Sequence, residues 1–274
     1  MAVTLADITH LRKMSGAGMM DCKNALEEAG SDFEKAMEII RKKGQAVAAK
    51  RSDREASEGC VLATENGEFA AIVAAKCETD FVAKNGDFIA MTQKILDAAI
   101  ANKPADKEAL ASLLVDGGRT VAEIITDRIG VTGEKMELGF YEFVTGAATI
   151  SYIHPGNKLA TIVAFNKPLE RQVARDVAMQ VAAMNPIAVL PSEVSQSVID
   201  TEKEIARDKA RQAGKPENIL DRIAEGAIQK YYKDNTLLQQ EFVKDAKLTI
   251  EQYLKQQDKE LTVTAFKRVT LNVD

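Results

Sequence analysis

The sequence repeats itself, and the repeat limits the folds open to it. Phe69-Ala-Ala-Ile-Val-Ala matches Leu159-Ala-Thr-Ile-Val-Ala at an offset of 90 residues (159 − 69). Ala101-Asn-Lys-Pro matches Ala183-Met-Asn-Pro at an offset of 82 (183 − 101). In the first cycle, strands over 60–64 and 69–75 flank Asn66-Gly67, which predicts a type I′ hairpin. A helix over 86–102 follows and stops before Pro104. In the second cycle, strands over 150–153 and 159–165 flank His154-Pro155-Gly156-Asn157, and a helix over 169–184 stops before Pro186. The first cycle is longer by eight residues (90 − 82), assigned to the stretch 77–85. Helices over 107–114 and 119–129 and a strand over 135–144 complete the first half, taken as 58–145. A short helix over 248–254 and an alternating strand over 261–273 end the second half, 146–274. The expected fold class is α+β, with antiparallel sheets in a duplicated α/β core.

Ahead of the core, residues 1–45 predict three helices. Thr4 caps the first, whose apolar positions Leu5, Ile8 and Leu11 share a face. Ser15-Gly16-Ala17-Gly18 breaks it. The second carries Cys22, Ala25, Leu26 and Ala29, with Gly30 suited to its C′ position. Ser31 and Glu34 have capping-box spacing, and a third helix with Phe33, Ala36, Met37 and Ile40 inward ends at Gly44. Residues 46–57 are polar and charged and read as a linker with helical tendency. Within the second half, two charged helical stretches over 192–213 and 217–233 meet at Gly214-Lys215-Pro216. Their thin apolar stripes, Val194, Val198, Ile199 and Ile205 facing Ile219, Leu220, Ile223 and Ile228, suit a helical hairpin inserted at about 191–235.

Composition narrows function mainly by exclusion. With 36 basic and 41 acidic residues, a net charge of −5 argues against a general phosphate-backbone binder. The longest apolar run, 69–75, is far short of the roughly 20 residues that span a bilayer. The N-terminal stretch MAVTLADITHLRKM carries no export or organelle signal. Three widely spaced cysteines, Cys22, Cys60 and Cys77, suit reduced thiols in the cytoplasm. His10 and His154 lie in no metal-spaced cluster, and phosphate-loop, dinucleotide and nucleophile-elbow motifs are absent. No cofactor, metal or enzyme activity is expected.

Two segments stand out as contact surfaces. Thr79 suits an N-cap, placing Asp80 and Phe81 in the first turn of a short helix directly after a strand. Two readings of Phe81 remain: packing over the sheet edge, or projecting as an apolar wedge with an acidic neighbour. Adjacent Met19 and Met20 cannot both face a small three-helix core, so at least one is exposed, as methionines are at adaptable binding surfaces; the alternative is one core residue and one incidental. Arg12 and Lys13 read most simply as a solvated helix face, and His154 as a turn residue.

These residues carry a resemblance. Leu11-Arg-Lys-Met-Ser-Gly-Ala-Gly-Met-Met-Asp-Cys-Lys-Asn-Ala-Leu26 resembles the N-terminal signature of the elongation factor Ts family, and Cys77-Glu-Thr-Asp-Phe-Val-Ala-Lys-Asn85 resembles its second signature. Similarity continues through Ser151-Tyr-Ile-His154, Val177-Ala-Met-Gln-Val-Ala-Ala183 and Gly214-Lys-Pro216, nearly the whole chain. The resemblance implies a ubiquitin-associated-like N-terminal domain, a duplicated core and a helical coiled-coil module. It implies a guanine nucleotide exchange factor, binding elongation factor Tu in its GDP-bound and nucleotide-free forms during translation elongation. Asp80 and Phe81 would enter the partner's nucleotide-binding domain, and the segment Thr79, Asp80, Phe81 and Val82 would displace its magnesium ion. Arg12, Met19 and Met20 would contact the same domain, and His154 the partner's other end. A contact made in some members by a further C-terminal helix is not expected, because this sequence stops at Asp274 after the last predicted strand. Self-association through the core stays open. The runner-up class, a nucleic-acid-binding module, would need a basic face around Lys42, Lys43, Lys50 and Arg51.

Overall fold

The computed structural model describes residues 3–272. Its helices are α1 (Leu5–Ser15), α2 (Met19–Glu28), α3 (Phe33–Lys50), α4 (Asp80–Ala83), α5 (Gly86–Asn102), α6 (Lys107–Ser112), α7 (Val121–Thr132), α8 (Arg171–Met184), α9 (Gln196–Gln212), α10 (Leu220–Asn235) and α11 (Ile250–Lys255). The strands are β1 (Glu58–Asn66), β2 (Phe69–Cys77), β3 (Met136–Thr145), β4 (Ala148–Ile153), β5 (Leu159–Phe165), β6 (Glu241–Phe242), β7 (Asp245–Thr249) and β8 (Val263–Thr270). This is an α+β fold. Val273, at the end of the expected last strand, lies outside the described residues.

The duplication is visible in three dimensions. One antiparallel sheet runs β1-β2-β3 and the other β4-β5-β8, each with its copy of the repeated strand, β2 or β5, in the centre. The register of β2 on β3 slips between Ala74 and Ala75, and that of β5 on β8 between Ala164 and Phe165, again 90 residues apart (164 − 74). Helices α5 and α8 end alike, on the left-handed residues Lys103 (φ 49°) and Asn185 (φ 43°), 82 apart (185 − 103). A bulge and a cap recur only if the backbone repeats as well as the apolar pattern.

The sheets pack face to face through small side chains: Ala63, Ala70 and Ala74 meet Ala160 and Ala164, with Ile72 and Ile162 between them. α5 and α7 cover the outer face of the first sheet and α8 covers the second, so two further cores form outside the sandwich. β5, buried at every position and apolar except for Thr161, whose hydroxyl donates to the Ala178 carbonyl (2.8 Å), is what a central strand covered on both faces requires. The eight extra residues of the first cycle are spread more widely than expected. β2 has nine residues against seven in β5, α5 has 17 against 14 in α8, and only the rest lie in the connection 78–85 against 166–170.

Several local expectations change. Asn66 pairs with Phe69 inside the ladder, so the two-residue turn is Gly67-Glu68, with positive φ at Gly67 (64°) alone. That rules out a type I′ turn, which needs positive φ at both central residues. Asp32, not Ser31, caps α3, accepting from the amides of Glu34 and Lys35, while Ser31 adopts φ 70°. Leu5 is exposed although Ile8 and Leu11 are buried. Helix α3 does not stop at Gly44: that residue is buried mid-helix, and residues 45–50 continue the helix where a linker was expected. The hairpin α9–α10 forms, sealed by Ala210, Leu220, Ala224 and Ile228 rather than by Ile205, which is exposed. Pairs Lys203–Glu225 (2.9 Å), Arg207–Asp221 (2.9 Å) and Arg211–Glu217 (3.1 Å) link its two arms. The small hairpin β6–β7 was not anticipated; at two and five residues its strands are too short for any alternation to register.

Candidate functional site

At the end of β2 the chain leaves the sheet and makes one helical turn under tight local control. The buried Cys77 thiol donates to the Thr79 carbonyl (3.3 Å). Thr79 is the extended N-cap of α4, and its Oγ1 accepts from the Val82 amide at 3.4 Å. The Thr79 amide and hydroxyl in turn donate to the two carboxylate oxygens of Glu134, at 3.1 and 2.6 Å. Glu78, just ahead, accepts from the Lys135 amide (2.6 Å) and pairs with the Arg51 guanidinium (3.2 Å). Downstream, Ala83 is buried and Val82 packs on the first core.

On this fixed turn, Phe81 is 85% exposed. It does not pack over the sheet edge, so of the two sequence readings the projecting one describes its placement. Its neighbour Asp80 accepts a hydrogen bond from Lys84 at 2.6 Å. That bond and the Lys84 charge, with a weaker contribution from Lys158, hold the Asp80 carboxyl below its usual range. Burial, aided by Glu134 and Glu58, pushes the Cys77 thiol up to about 12, and burial pushes Cys60 up to about 11. Both are therefore neutral thiols and poor nucleophiles at physiological pH.

The first signature forms a second exposed surface. α1 ends at left-handed Gly16, Gly18 caps α2, and the turn between them sets Met19 and Met20 on the first turn of α2, 43% and 64% exposed. Both methionines face solvent, and the core of this unit is closed by Leu11, Cys22, Ala25, Leu26 and Ala36 instead. Arg12 is exposed one turn before the break. The two signatures approach each other at Arg128. Its guanidinium donates to Asn85 (3.1 Å) and pairs with Asp87 (2.9 Å) at the start of α5, and a Cβ on Gly16 would lie 3.9 Å from its Nη1.

His154 begins the loop between β4 and β5. It shares a hydrogen bond with the Tyr152 hydroxyl (3.1 Å) and is exposed. The same loop is tied to the first sheet, because the Asn157 carbonyl accepts from the Val61 amide (2.7 Å) and Lys158 pairs with Glu58 (2.7 Å). Of the cations of the supposed basic face, Lys42 pairs with Glu38, Lys43 with Asp21 and Arg51 with Glu78. Among the described residues no group of three or more His, Cys, Asp or Glu could hold a metal ion, and no helix is long and apolar enough to cross a membrane. Sequence reasoning gave Arg51 and Glu78 no part in holding the turn and missed Arg128, Glu134 and Lys135 altogether. Each acts on the site through a partner distant in sequence, and local periodicity carries no trace of such pairings.

The class these features define is a duplicated α+β protein with a three-helix N-terminal unit, a helical-hairpin insertion and an exposed aromatic on a clamped turn. The sequence model of the family described as Elongation factor TS matches residues 78–272. An elongation factor Ts of Porphyromonas gingivalis is 72% identical over 274 residues, and one of Azobacteroides pseudotrichonymphae 57% over 275, both chains being covered completely in each case. One of Phocaeicola vulgatus is 48% identical over 331 aligned positions, again with full coverage of both. The chain belongs to the elongation factor Ts family.

Proposed function

We propose that the protein binds elongation factor Tu carrying GDP and promotes GDP release during translation elongation, working in the cytoplasm by binding rather than by bond chemistry. The observation that carries this reading is Phe81: a large apolar side chain, 85% exposed, on a turn anchored by Thr79 on one side and by Val82 and Ala83 on the other. Leaving it in water forgoes about 1.5–3 kcal/mol of burial, which a partner can recover.

Exchange then follows from linkage. A protein that binds the nucleotide-free partner more tightly than the GDP form must weaken GDP, and GDP must weaken it by the same factor. Phe81 enters an apolar gap beside the partner's nucleotide site, with Asp80 alongside, and the segment from Thr79 to Val82 displaces the magnesium ion. Arg12, Met19 and Met20 hold the same partner domain, and His154 meets the partner's other end. No cofactor is required, and neither a membrane nor nucleic acid takes part. With three of its four cations already paired, the face around Lys42, Lys43, Lys50 and Arg51 gives little support to nucleic-acid binding. The working division is an N-terminal unit at 1–45 and core halves at 58–145 and 146–274, with the hairpin inserted in the second.

Release of a fluorescent GDP from purified elongation factor Tu, chased with excess unlabelled nucleotide, tests the proposal. Acceleration that rises with the concentration of this protein supports it. An unchanged rate with both proteins folded would overturn it.

A further inference from the structure

One short segment, 128–135, at the end of α7, touches the α1–α2 turn, α3, and the two ends of the 78–87 stretch that carries α4. Arg128 reaches the α4–α5 junction through Asn85 and Asp87 and lies against the α1–α2 turn at Gly16, with Val131 beside it. Its Nε is buried and, among the described residues, has no hydrogen-bond partner. Gly130 packs on Gly44 of α3 so closely that a Cβ at 130 would sit 2.6 Å from the Gly44 Cα. Glu134 clamps Thr79. Lys135 gives its amide to Glu78 and its ammonium to the carbonyls of Ser52 (2.9 Å) and Arg54 (2.8 Å), fixing the chain where α3 ends.

Helix α3 makes this segment more than a local brace. Ala36, near its start, lies in the core of the N-terminal unit, while Val47 and Ala48, near its end, pack on the first core. Eighteen helical residues make one uninterrupted rod of about 27 Å joining the two. A polar linker at 46–57 would let the N-terminal unit swing; a rod seated on α7 at a glycine–glycine crossing does not.

We propose that residues 128–135 are a positioning hub: they hold the N-terminal unit in one orientation relative to Phe81, so that both surfaces meet a single partner as one rigid template. Gly130, Arg128, Glu134 and Lys135 touch no partner in this scheme. They set the geometry between residues that do, so the second contact forms without a search and the ordering cost is met during folding. The functional half of this inference rests on the exchange reading above.

The test uses two spin labels, on Asn24→Cys in α2 and Glu108→Cys in α6, in the otherwise intact chain. Both sites are exposed, and the three native cysteines are buried and escape labelling. Pulsed dipolar spectroscopy of the free protein should give one narrow distance. Gly130→Leu, which drives α3 off α7, should shift or broaden it. Arg51→Ala combined with Lys135→Ala, which frees the end of α3 without a steric clash, should broaden it too if the leucine variant fails to fold. In the exchange assay at subsaturating concentration Gly130→Leu should lower stimulated GDP release by about 100-fold or more, as when a second attachment no longer engages. Met19→Ala with Met20→Ala should then cost little more in that background, though it is costly in the parent. A broad distribution in the parent, or a full methionine effect retained in Gly130→Leu, would overturn the hub. The distance measurement needs no partner, so failure of the hub is told apart from failure of the exchange reading, which appears as a parent protein that releases no GDP.

Discussion

Replacing Phe81 with alanine removes the projecting ring and little else. The side chain is 85% exposed, so its loss opens no cavity, and alanine suits the helical turn at least as well. Stability should change by no more than about 0.5 kcal/mol, as for other surface substitutions. The effect on binding is different, because burying a Phe side chain is worth about 1.5–3 kcal/mol. The exposed 85% of it accounts for about 1.3–2.6 kcal/mol if the partner covers the ring completely. At 1.36 kcal/mol per decade, this is a loss of about nine- to eightyfold in GDP release at subsaturating concentration. The assay is stopped-flow release of fluorescent GDP across a concentration series, with thermal unfolding of the variant run alongside. A variant with the parent melting temperature and the parent release rate would refute the wedge. A variant that melts early would refute the claim that Phe81 is idle in the fold.

Three further outcomes follow from the same geometry. Glu134→Gln weakens the clamp on Thr79 and should slow stimulated release, but it should have no added effect once Phe81 is alanine; additive losses in the double variant would show that Glu134 acts elsewhere. Asp80→Asn should also slow release, whereas in the parent Asp80 should contribute no pH dependence between pH 5 and 8, because Lys84 keeps it ionised well below that window; a rate profile that loses a titration in that window when Asp80 is replaced would contradict this. The thiols of Cys60 and Cys77 ionise near 9.0 when exposed but only at about 11 and about 12 in the fold, so their contribution to stability is complete below pH 9 and is lost as pH rises through about 11 for Cys60 and about 12 for Cys77. Urea midpoints from pH 8 to 10.5 should fall less steeply in Cys60→Ala, Cys77→Ala than in the parent, and equal slopes would count against it.

How far the sequence discloses this molecule depends on the range of the interaction that decides each feature. The two cycles are legible because strand and helix patterning is local, and the offsets of 90 and 82 reappear in the bulges at Ala74 and Ala164 and the caps at Lys103 and Asn185. Thr79 as a cap is legible for the same reason, its hydroxyl reaching an amide three residues on. Gly44 misleads because glycine usually ends a helix; here it lets two helices touch, and its reason, Gly130, is 86 residues away (130 − 44). The exposure of Phe81 was undecidable from spacing, since a strand end permits either placement. The residues that hold Phe81 in place, Glu134 and Lys135 among them, declare themselves only once the chain is folded.

The central claim is a linkage, and the most direct measurement closes its cycle. The affinity of this protein for nucleotide-free elongation factor Tu and for its GDP complex would be determined by titration, together with the affinity of elongation factor Tu for GDP with and without saturating amounts of this protein. The account predicts tighter binding to the nucleotide-free form, and a weakening of GDP by the same factor. Equal affinity for the two forms would contradict it, however tight the binding, because a partner without preference shifts no equilibrium.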